Sequence, residues 1–309
     1  MIGTFNLANN ENNVQIFYTI GNNIWQTWQK PKGCKYAQFL VIGSGGGGGG
    51  GGSRGVGTTR SGGAGGGSSG VSRLFVPLSS IPDVLYIQVG VGGLGGAAFP
   101  AGQGSGDNGG AGQLSYVSIQ PNIAVANVLV ASGNAPNSGG SGGSGFGSGV
   151  AIAGGASTIF TVANGLLSHI GHFNFIAGQA GGNGGNASGQ GTAITLAGIT
   201  SGGAGGAGVS TTNLNGANVT GAGFVPTRNG GVATTSQADS GFNSFNGKLL
   251  NQRLPLFFTG GAGGYSNNLG TGGDGGYGAF GCGGGGAGAG TTGGRGGNGG
   301  DGLVIITCW

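Results

Sequence analysis

The chain has 309 residues, of which 87 are glycine; 36% of all residues are hydrophobic and only 5% are charged. Disordered segments combine low hydrophobicity with high net charge, so this composition excludes a flexible linker and predicts an ordered, packed protein. The formal net charge of +4 comes from scattered basic residues, and no nucleic-acid-binding surface is expected, because phosphate binding requires a dense basic stripe.

The sequence shows no targeting or membrane-spanning segment. The opening MIGTFNLANN lacks the charged and apolar regions of a signal peptide, and no apolar run approaches the roughly 20 residues of a membrane-spanning helix. Cys34, Cys282 and Cys308 cannot all pair with one another, and no CxxC motif occurs. We therefore expect synthesis in a reducing cytoplasm, no disulfide framework and no membrane insertion.

Three strands are predicted near the start of the chain. Val14–Ile20 is a β-branched and aromatic run closed by a Gly-Asn-Asn turn, and Ile24–Trp28 is a second short strand. After a turn at Pro31-Lys32-Gly33, Tyr36–Ile42 forms a third strand that is apolar enough to be buried. The beginning of the chain is therefore expected to be β-sheet.

A fourth strand of the same apolar character, Leu303–Trp309, follows the glycine-rich body of the chain. It and Tyr36–Ile42 bracket that body, and neither has a partner of equal strength within it. We therefore expect both runs in one sheet or sandwich, within a β-module made of residues 1–42 and 303–309 that serves as a base for attachment or assembly. The residues expected to form the shared sheet are Phe39, Val41, Val304 and Ile306.

Residues 43–302 are dominated by glycine triplets. The GGX pattern reads GGRGGNGGD at 293–301, GGNGGN at 181–186, GGAGGA at 202–207 and GGSGGSGFG at 139–147. Collagen needs one glycine per triplet and abundant proline, whereas these tracts have two and the whole chain has only 8 prolines. Polyproline II geometry has three residues per turn and leaves its amides free for neighbouring helices. The pattern therefore predicts a bundle of packed polyglycine II helices.

Apolar segments interrupt the glycine tracts and are expected to be strands or apolar turns that form loops and layers between the helices of the bundle. None is a convincing long amphipathic helix, although Leu166–Ile176 is also compatible with a helical turn. The predicted fold class is therefore mostly β with polyglycine II helices and almost no α-helix. The segments are Val71–Leu78, Val84–Val91, Val125–Ala131, Ile152–Val162, Leu166–Ile176 and Leu249–Phe258.

The titratable residues do not predict an enzyme. The 6 acidic residues are spread along the chain, so the carboxylate pair of a glycan-cleaving site is not expected, and Asp274 and Asp301 are expected to cap turns or line the outward edge of a GGX helix. His169 and His172 form an HxxH motif, but zinc binding needs a further ligand, for which Cys282 is the only soft candidate. We expect no catalytic residue, no cofactor and no metal, with a metal site between subunits at the two histidines as the open alternative.

Several aromatic residues lie in glycine-rich turns, where they suit either stacking on the sugars of a receptor or filling apolar layers of the fold. Filling such layers is the more common role, and Phe280 belongs to the same set. The candidates for receptor contact are His172, Phe173, Phe175, Tyr265 and Tyr277.

Four motifs follow one another in an order that spans nearly the whole chain. They are the Trp-x-x-Pro stretch Trp28–Pro31, the apolar strand Phe39–Gly43 running into polyglycine, the VGVGG strand at Ile87–Gly93 and the terminal strand at Gly300–Ile306. In this order they resemble the glycine-rich domains of bacteriophage tail proteins. Some phage tail-tip adhesins are built on polyglycine II bundles with variable distal loops, so the resemblance implies a tail fibre or another surface appendage of a virion.

The resemblance also implies a set of partners. They are other virion proteins, further copies of the chain, with a trimer as one option, and a host surface glycan or outer-membrane protein as receptor. The protein would be made in the host cytoplasm and would position or contact the host surface. A capsid or tail decoration protein without receptor binding is the alternative; a cellular extracellular filament protein fits less well, because no secretion signal is seen.

Overall fold

The computed structural model gives the chain a mostly β structure. Within the described residues it contains β-strands, one short 3-10 helix at Leu78–Ser80 and no α-helix, which confirms the predicted fold class at this coarse level. The described residues are 14–101, 104–132, 171–187, 189–221, 225–233 and 257–309.

The strands form two main sheets and one short parallel pair. The first sheet contains β1 (Val14–Phe17), β3 (Tyr36–Ile42), β4 (Val71–Pro77), β8 (His172–Ile176) and β11 (Leu303–Cys308). Its spatial order is β1-β11-β3-β4-β8, and every neighbouring pair is antiparallel. The second sheet contains β2 (Trp25–Gln29), β5 (Val84–Gln88), β6 (Tyr116–Ser118) and β7 (Val128–Ala131), in that antiparallel order. The short pair is β9 (Ile194–Thr195) and β10 (Val219–Thr220).

The two apolar runs that bracket the glycine-rich body are neighbours in the first sheet. β11 pairs with β3 so that Val304 lies opposite Val41 and Ile306 lies opposite Phe39. All four side chains are buried. The shared sheet expected from the sequence is therefore present, with these residues on its inner face.

The glycine-rich body also supplies strands to both sheets, which differs from the single excursion expected for residues 43–302. β4 pairs along the other side of β3, and β8 pairs with β4 in turn. The sequence predicts Val71–Leu78 as a strand or turn inside the bundle. Buried Leu74 and Val76 alternate with more exposed neighbours, however, and this is the period of a strand packed on one face.

The two sheets pack face to face as a β-sandwich around a hydrophobic core. The rings of Trp28, from the second sheet, and Phe39, from the first, meet edge to face with their centroids 5.9 Å apart. The first sheet contributes Phe17, Ala37, Phe39, Val41, Leu74, Val76, Val304, Ile306 and Cys308, and the second contributes Trp28, Leu85, Ile87, Val117 and Val130.

Strands of both sheets run on directly into extended glycine-rich segments. β3 continues into residues 43–53, β5 leads into residues 90–97, and residues 292–302 lead into β11. Side chains hold stacked sheets about 10 Å apart, whereas the glycine-rich continuations approach to hydrogen-bond contact: Gly93 N donates to Gly45 O at 2.9 Å. The glycine-rich part of the molecule therefore begins where large side chains no longer separate the continuations of the two sheets.

Two predicted features, the GGX tract at 139–147 and the segment Ile152–Val162, lie outside the described residues. So do residues 249–256 of Leu249–Phe258 and residues 166–170 of Leu166–Ile176. Residues 172–176 of the latter segment form strand β8 rather than a helical turn.

Candidate functional site

The glycine-rich segments form a hydrogen-bonded lattice with a repeat of three residues. Neighbouring segments run both parallel and antiparallel to one another, and their main-chain groups pair between segments. The segments of the lattice are residues 43–53, 60–70, 90–97, 104–113, 178–187, 189–196, 200–209, 213–220, 228–233, 258–267, 270–280, 282–291 and 292–302.

Residues 282–291, which we call the central segment, donate to three neighbouring segments in strict rotation. Successive N–H groups point to a different neighbour each time, and every third one returns to the same neighbour, at N···O distances of 2.8–3.1 Å. Gly283, Gly286 and Ala289 donate to residues 200–209; Gly284, Ala287 and Gly290 donate to residues 43–53; Gly285, Gly288 and Thr291 donate to residues 270–280.

The carbonyl groups from Cys282 to Ala289 accept from three further segments in the same rotation. These are residues 60–70, 258–267 and 292–302, while Gly290 O accepts from Arg54 N at 3.4 Å. Every N–H from Gly283 to Thr291 and every C=O from Cys282 to Gly290 therefore has a main-chain partner. Since buried peptide groups must be paired, these main-chain bonds satisfy residues 283–290, and the carbonyl group of Thr291, at the end of the segment, accepts from Ser53 Oγ at 2.6 Å.

Steric contact explains why glycine occupies six of the ten positions of the central segment. A Cβ atom at Gly286 would lie 2.0 Å from Gly63 O, and one at Gly288 would lie 1.7 Å from Tyr265 O. Non-bonded heavy atoms prefer separations of about 3.5–4.0 Å. A methyl group at either position would therefore push two neighbouring segments apart and break the bonds between them.

At the side of the lattice, side-chain oxygen atoms accept hydrogen bonds from main-chain N–H groups, as the carbonyl groups of neighbouring segments do elsewhere. Asp301 Oδ1 accepts from Gly92 N and Asn298 Oδ1 accepts from Gly95 N, both at 2.8 Å, and Asp274 Oδ1 accepts from Arg295 N at 2.7 Å. Asn298 and Asp301 are consecutive third positions of the GGR-GGN-GGD tract, so they recur at the repeat of the lattice. The two aspartates thus cap the outward edge, one of the two roles expected for them.

Buried hydroxyl groups lie at the boundary between the sandwich and the lattice. Ser115 Oγ donates to Ile42 O at 2.8 Å and accepts from Gly90 N at 3.1 Å, and Ser44 Oγ donates to Val91 O at 2.7 Å. The hydrogen-bond repeat changes here from two residues to three, which leaves some main-chain groups without a main-chain partner. The serine hydroxyl groups pair these buried groups, which would otherwise be destabilising.

The end of the lattice farthest from the sandwich is a surface of connecting loops, which we call the tip surface. Its described loops are residues 54–59, 98–101, 210–212 and 268–269. Three apolar side chains are exposed there: Val56 is 59% exposed, Phe99 38% and Leu269 69%. A contiguous patch of exposed apolar side chains is typical of a contact surface, so the tip loops are the candidate contact site among the described residues.

Arg60 fixes three of the tip loops relative to one another. Its side chain is fully buried, with Nη2 donating to Asn268 Oδ1 at 2.7 Å and Nε donating to Thr58 O at 3.1 Å. Asn268 N in turn donates to Asn213 Oδ1 at 2.7 Å. Burial lowers the pKa of the Arg60 guanidinium, but arginine has so high a pKa that it stays charged. The tip loops are therefore held by a buried cation rather than by packing alone.

The five receptor-contact candidates do not converge on one surface. Tyr265 is fully buried inside the lattice, so its selection as a surface contact was wrong. Phe173 packs against the sandwich core, and Phe175 is half-buried on the same strand, β8. His172 and Tyr277 are exposed, but His172 lies at one end of β8 and Tyr277 in the lattice segment 270–280.

The sequence analysis missed the tip residues Val56, Phe99 and Leu269, because it did not use the position of a loop relative to the glycine tracts. A positional signal exists. A short stretch that connects two consecutive glycine tracts must lie at an end of the lattice, and residues 54–59 connect two such tracts. Which end faces away from the sandwich is set by the direction of the strands.

Metal binding finds no support among the described residues. They contain no group of three or more His, Cys, Asp and Glu side chains that could hold an ion, and His169 lies outside them. Cys282, the expected soft ligand, is completely buried at the start of the central segment, and burial raises the pKa of its thiol to about 12. In the part of the chain that the structure describes, no helix has the length and apolar character to cross a membrane.

Comparison with known proteins adds no relative. No protein-family model matches the chain. No curated protein matches it either.

Replacing Gly286 with alanine should destabilise the protein by about 3 kcal/mol or more, because the new methyl group would collide with the main chain of residues 60–70. Gly55→Ala is the matched control, since a Cβ there meets nothing within 4 Å, and it should change the free energy of unfolding by less than about 0.5 kcal/mol. Denaturant unfolding of both variants measures the difference. Equal stabilities would contradict the lattice packing.

Replacing Asp301 with alanine should cost about 1–2 kcal/mol, because Gly92 N loses its acceptor. Asp301→Asn keeps an oxygen in the same place and should retain most of the stability. Hydrogen exchange supplies a local readout: the Gly92 amide should exchange faster in the alanine variant than in the asparagine variant. Identical exchange of that amide in both variants would show that the side chain does not cap the edge.

Proposed function

We propose that this chain is a non-enzymatic structural protein of a bacteriophage particle, a subunit of a tail fibre or another surface appendage, and that its lattice is a bundle of polyglycine II helices. The observation that carries the proposal is the central segment, whose peptide groups pair with six surrounding segments in a repeat of three residues. A polyproline II helix has this repeat and makes no internal hydrogen bonds.

A bundle of this kind suits a part that must hold a shape outside a cell. Its stability comes from main-chain hydrogen bonds distributed along its whole length, and few charged side chains are needed to maintain it. Ten residues of a polyglycine II helix span about 31 Å, so residues 44–53 extend the lattice well beyond the sandwich. The order of motifs shared with glycine-rich domains of phage tail proteins supports the same assignment.

The two ends of the molecule suggest a division of roles. The sandwich lies at one end and is the side for attachment to other virion proteins or to further copies of the chain. The tip surface lies at the other end, where Arg60 holds the loops that expose Val56 and Leu269, and where Phe99 is exposed in the loop at residues 98–101. These loops are the part that contacts a host surface glycan or an outer-membrane protein.

Far-UV circular dichroism tests the helix type. The purified chain should show polyproline II character with little α-helical signal, and the signal should be lost in one step on unfolding, because the segments bond to one another rather than within themselves. The stable Gly55→Ala variant should give the same spectrum. A strongly helical or random-coil spectrum would exclude the polyglycine II assignment.

Binding to host cells tests the function. Fluorescently labelled protein should bind the bacterium that propagates the particle, and Val56→Asp together with Leu269→Asp should weaken binding about tenfold or more, since apolar contacts at the centre of an interface dominate affinity. Tyr277→Asp is the matched control, because Tyr277 is 54% exposed in the lattice segment 270–280 rather than in a tip loop. All variants should retain the wild-type melting temperature.

Two outcomes would oppose receptor contact. Loss of binding in Tyr277→Asp, with no effect of the tip substitutions, would place the contact on the side of the lattice. No binding by the wild-type chain, with immunogold labelling of intact particles over the capsid or tail shaft, would identify a decoration protein instead. Absence of the label from every particle would reject the virion assignment itself.

A further inference from the structure

Two of the three cysteines face the same core at the end of the sandwich that lies away from the lattice. Cys308 is the last residue of β11, is buried, and lies opposite Ala37 of β3. Cys34 lies just before β3, is half-buried, and packs against the same hydrophobic core. Burial is the main reason why the pKa of the Cys308 thiol rises to about 12, and the nearby Cys34 raises it further.

A β-bulge places the two thiols on the same side of the sheet. The N–H groups of Lys35 and Tyr36 both donate to Trp309 O, at 2.7 and 3.0 Å, and Trp309 N donates to Tyr36 O at 3.1 Å. Two residues of one strand thus oppose one residue of the other, which is the definition of a bulge. In the sequence, Cys34 directly precedes Lys35 on one strand of the bulge, and Cys308 directly precedes Trp309 on the other. Both cysteine side chains reach the core.

We propose that Cys34 and Cys308 form a disulfide when the protein meets a small disulfide such as oxidised glutathione, and that this bond fastens β11 to the loop before β3. Cys34 lies three residues before Ala37, the residue opposite Cys308, and the bulge takes up one residue of that offset, so the two cysteines are diagonal neighbours across the bulge. Diagonal neighbours on one face of an antiparallel pair have Cα atoms about 7–8 Å apart, and a disulfide spans up to about 6.8 Å. Bond formation therefore needs Cys34 and β11 to approach by about 1 Å or more; Lys32 and Gly33, in the turn before Cys34, are exposed.

The reaction proceeds by two thiol–disulfide exchanges. The thiolate of Cys34, the more accessible of the two, attacks oxidised glutathione, breaks its S–S bond and releases one glutathione thiolate, which takes up a proton from water. Cys308 then loses its proton to solvent and attacks the Cys34 sulfur of the mixed disulfide, releasing the second glutathione. Two protein thiols are oxidised, and one glutathione disulfide is reduced to two thiols.

Cys282 has no part in this bond. It belongs to a different cluster, on the outer side of the first sheet, and it is completely buried at the start of the central segment. Its thiol accepts a hydrogen bond from Ser201 N at 3.4 Å. It therefore serves as an internal control for oxidation. The inference does not depend on the proposed function.

Mass spectrometry of the folded chain tests the proposal. After incubation with oxidised glutathione and unfolding without reductant, trypsin should release residues 33–35 (GCK) joined to residues 296–309 (GGNGGDGLVIITCW), two hydrogens lighter than the sum of the separate peptides. Below pH 10 the second exchange should accelerate about tenfold per pH unit, because the thiolate fraction of Cys308 grows by that factor well below its pKa.

Substitutions separate this bond from other oxidation products. Cys34→Ser and Cys34→Ala should both abolish the linked peptide, and Cys282→Ser should leave it unchanged. Oxidised wild-type protein should melt about 3 °C or more above its reduced form, a shift that neither Cys34 variant shows. Accumulation of Cys34–glutathione with an unreacted Cys308, of dimers linked through Cys34, or of unmodified chain would overturn the proposal.

Discussion

The structure depends on pairing main-chain hydrogen bonds where there are almost no side chains to help. Fixing the backbone of one residue opposes folding by about 1–2 kcal/mol, and a glycine offers no side-chain burial in return. In the lattice, main-chain hydrogen bonds offset this cost, because successive peptide groups of the central segment pair with different neighbouring segments. The absence of Cβ atoms becomes a requirement, because the carbonyl oxygen of Gly63 occupies the space that a methyl group at Gly286 would need.

The same chain uses two hydrogen-bond geometries, and their junction is built with particular residues. In the sandwich, β3 bonds only to β11 and β4, and side chains such as Trp28 and Phe39 fill the space to the other sheet. In the lattice, the continuation of β3 bonds to segments that arise from both sheets. Hydroxyl groups such as that of Ser115 pair the main-chain groups that this change leaves over. The polar side chains that bond to main-chain groups therefore lie at the limits of the lattice. Serines lie at its junction with the sandwich, carboxylate and amide side chains at its outward edge, and Arg60 at the tip surface.

This arrangement also separates the surfaces on which the two proposals rest. The tip surface is held by Arg60 and by the lattice behind it, whereas Cys34 and Cys308 lie at the far end of the sandwich. The hydrogen-bonded lattice lies between the two ends. An extended part that is anchored at one end and presents loops at the other needs this separation, whatever surface the loops contact.

The sequence by itself determined the β-character and the lack of α-helix among the described residues, because apolar strands with period two and glycine triplets are local patterns. It also indicated that Tyr36–Ile42 and the terminal apolar run belong together, and the structure made them neighbouring strands. It limited Asp301 to a turn cap or an outward edge, and the structure decided for the edge. Only the tertiary structure decided that β4 completes the sheet, that Tyr265 is buried, and which loops form the tip. The reason is physical: a GGX tract is compatible with many neighbours, and the choice among them is made by hydrogen bonds between residues as distant in the chain as Gly46 and Gly284.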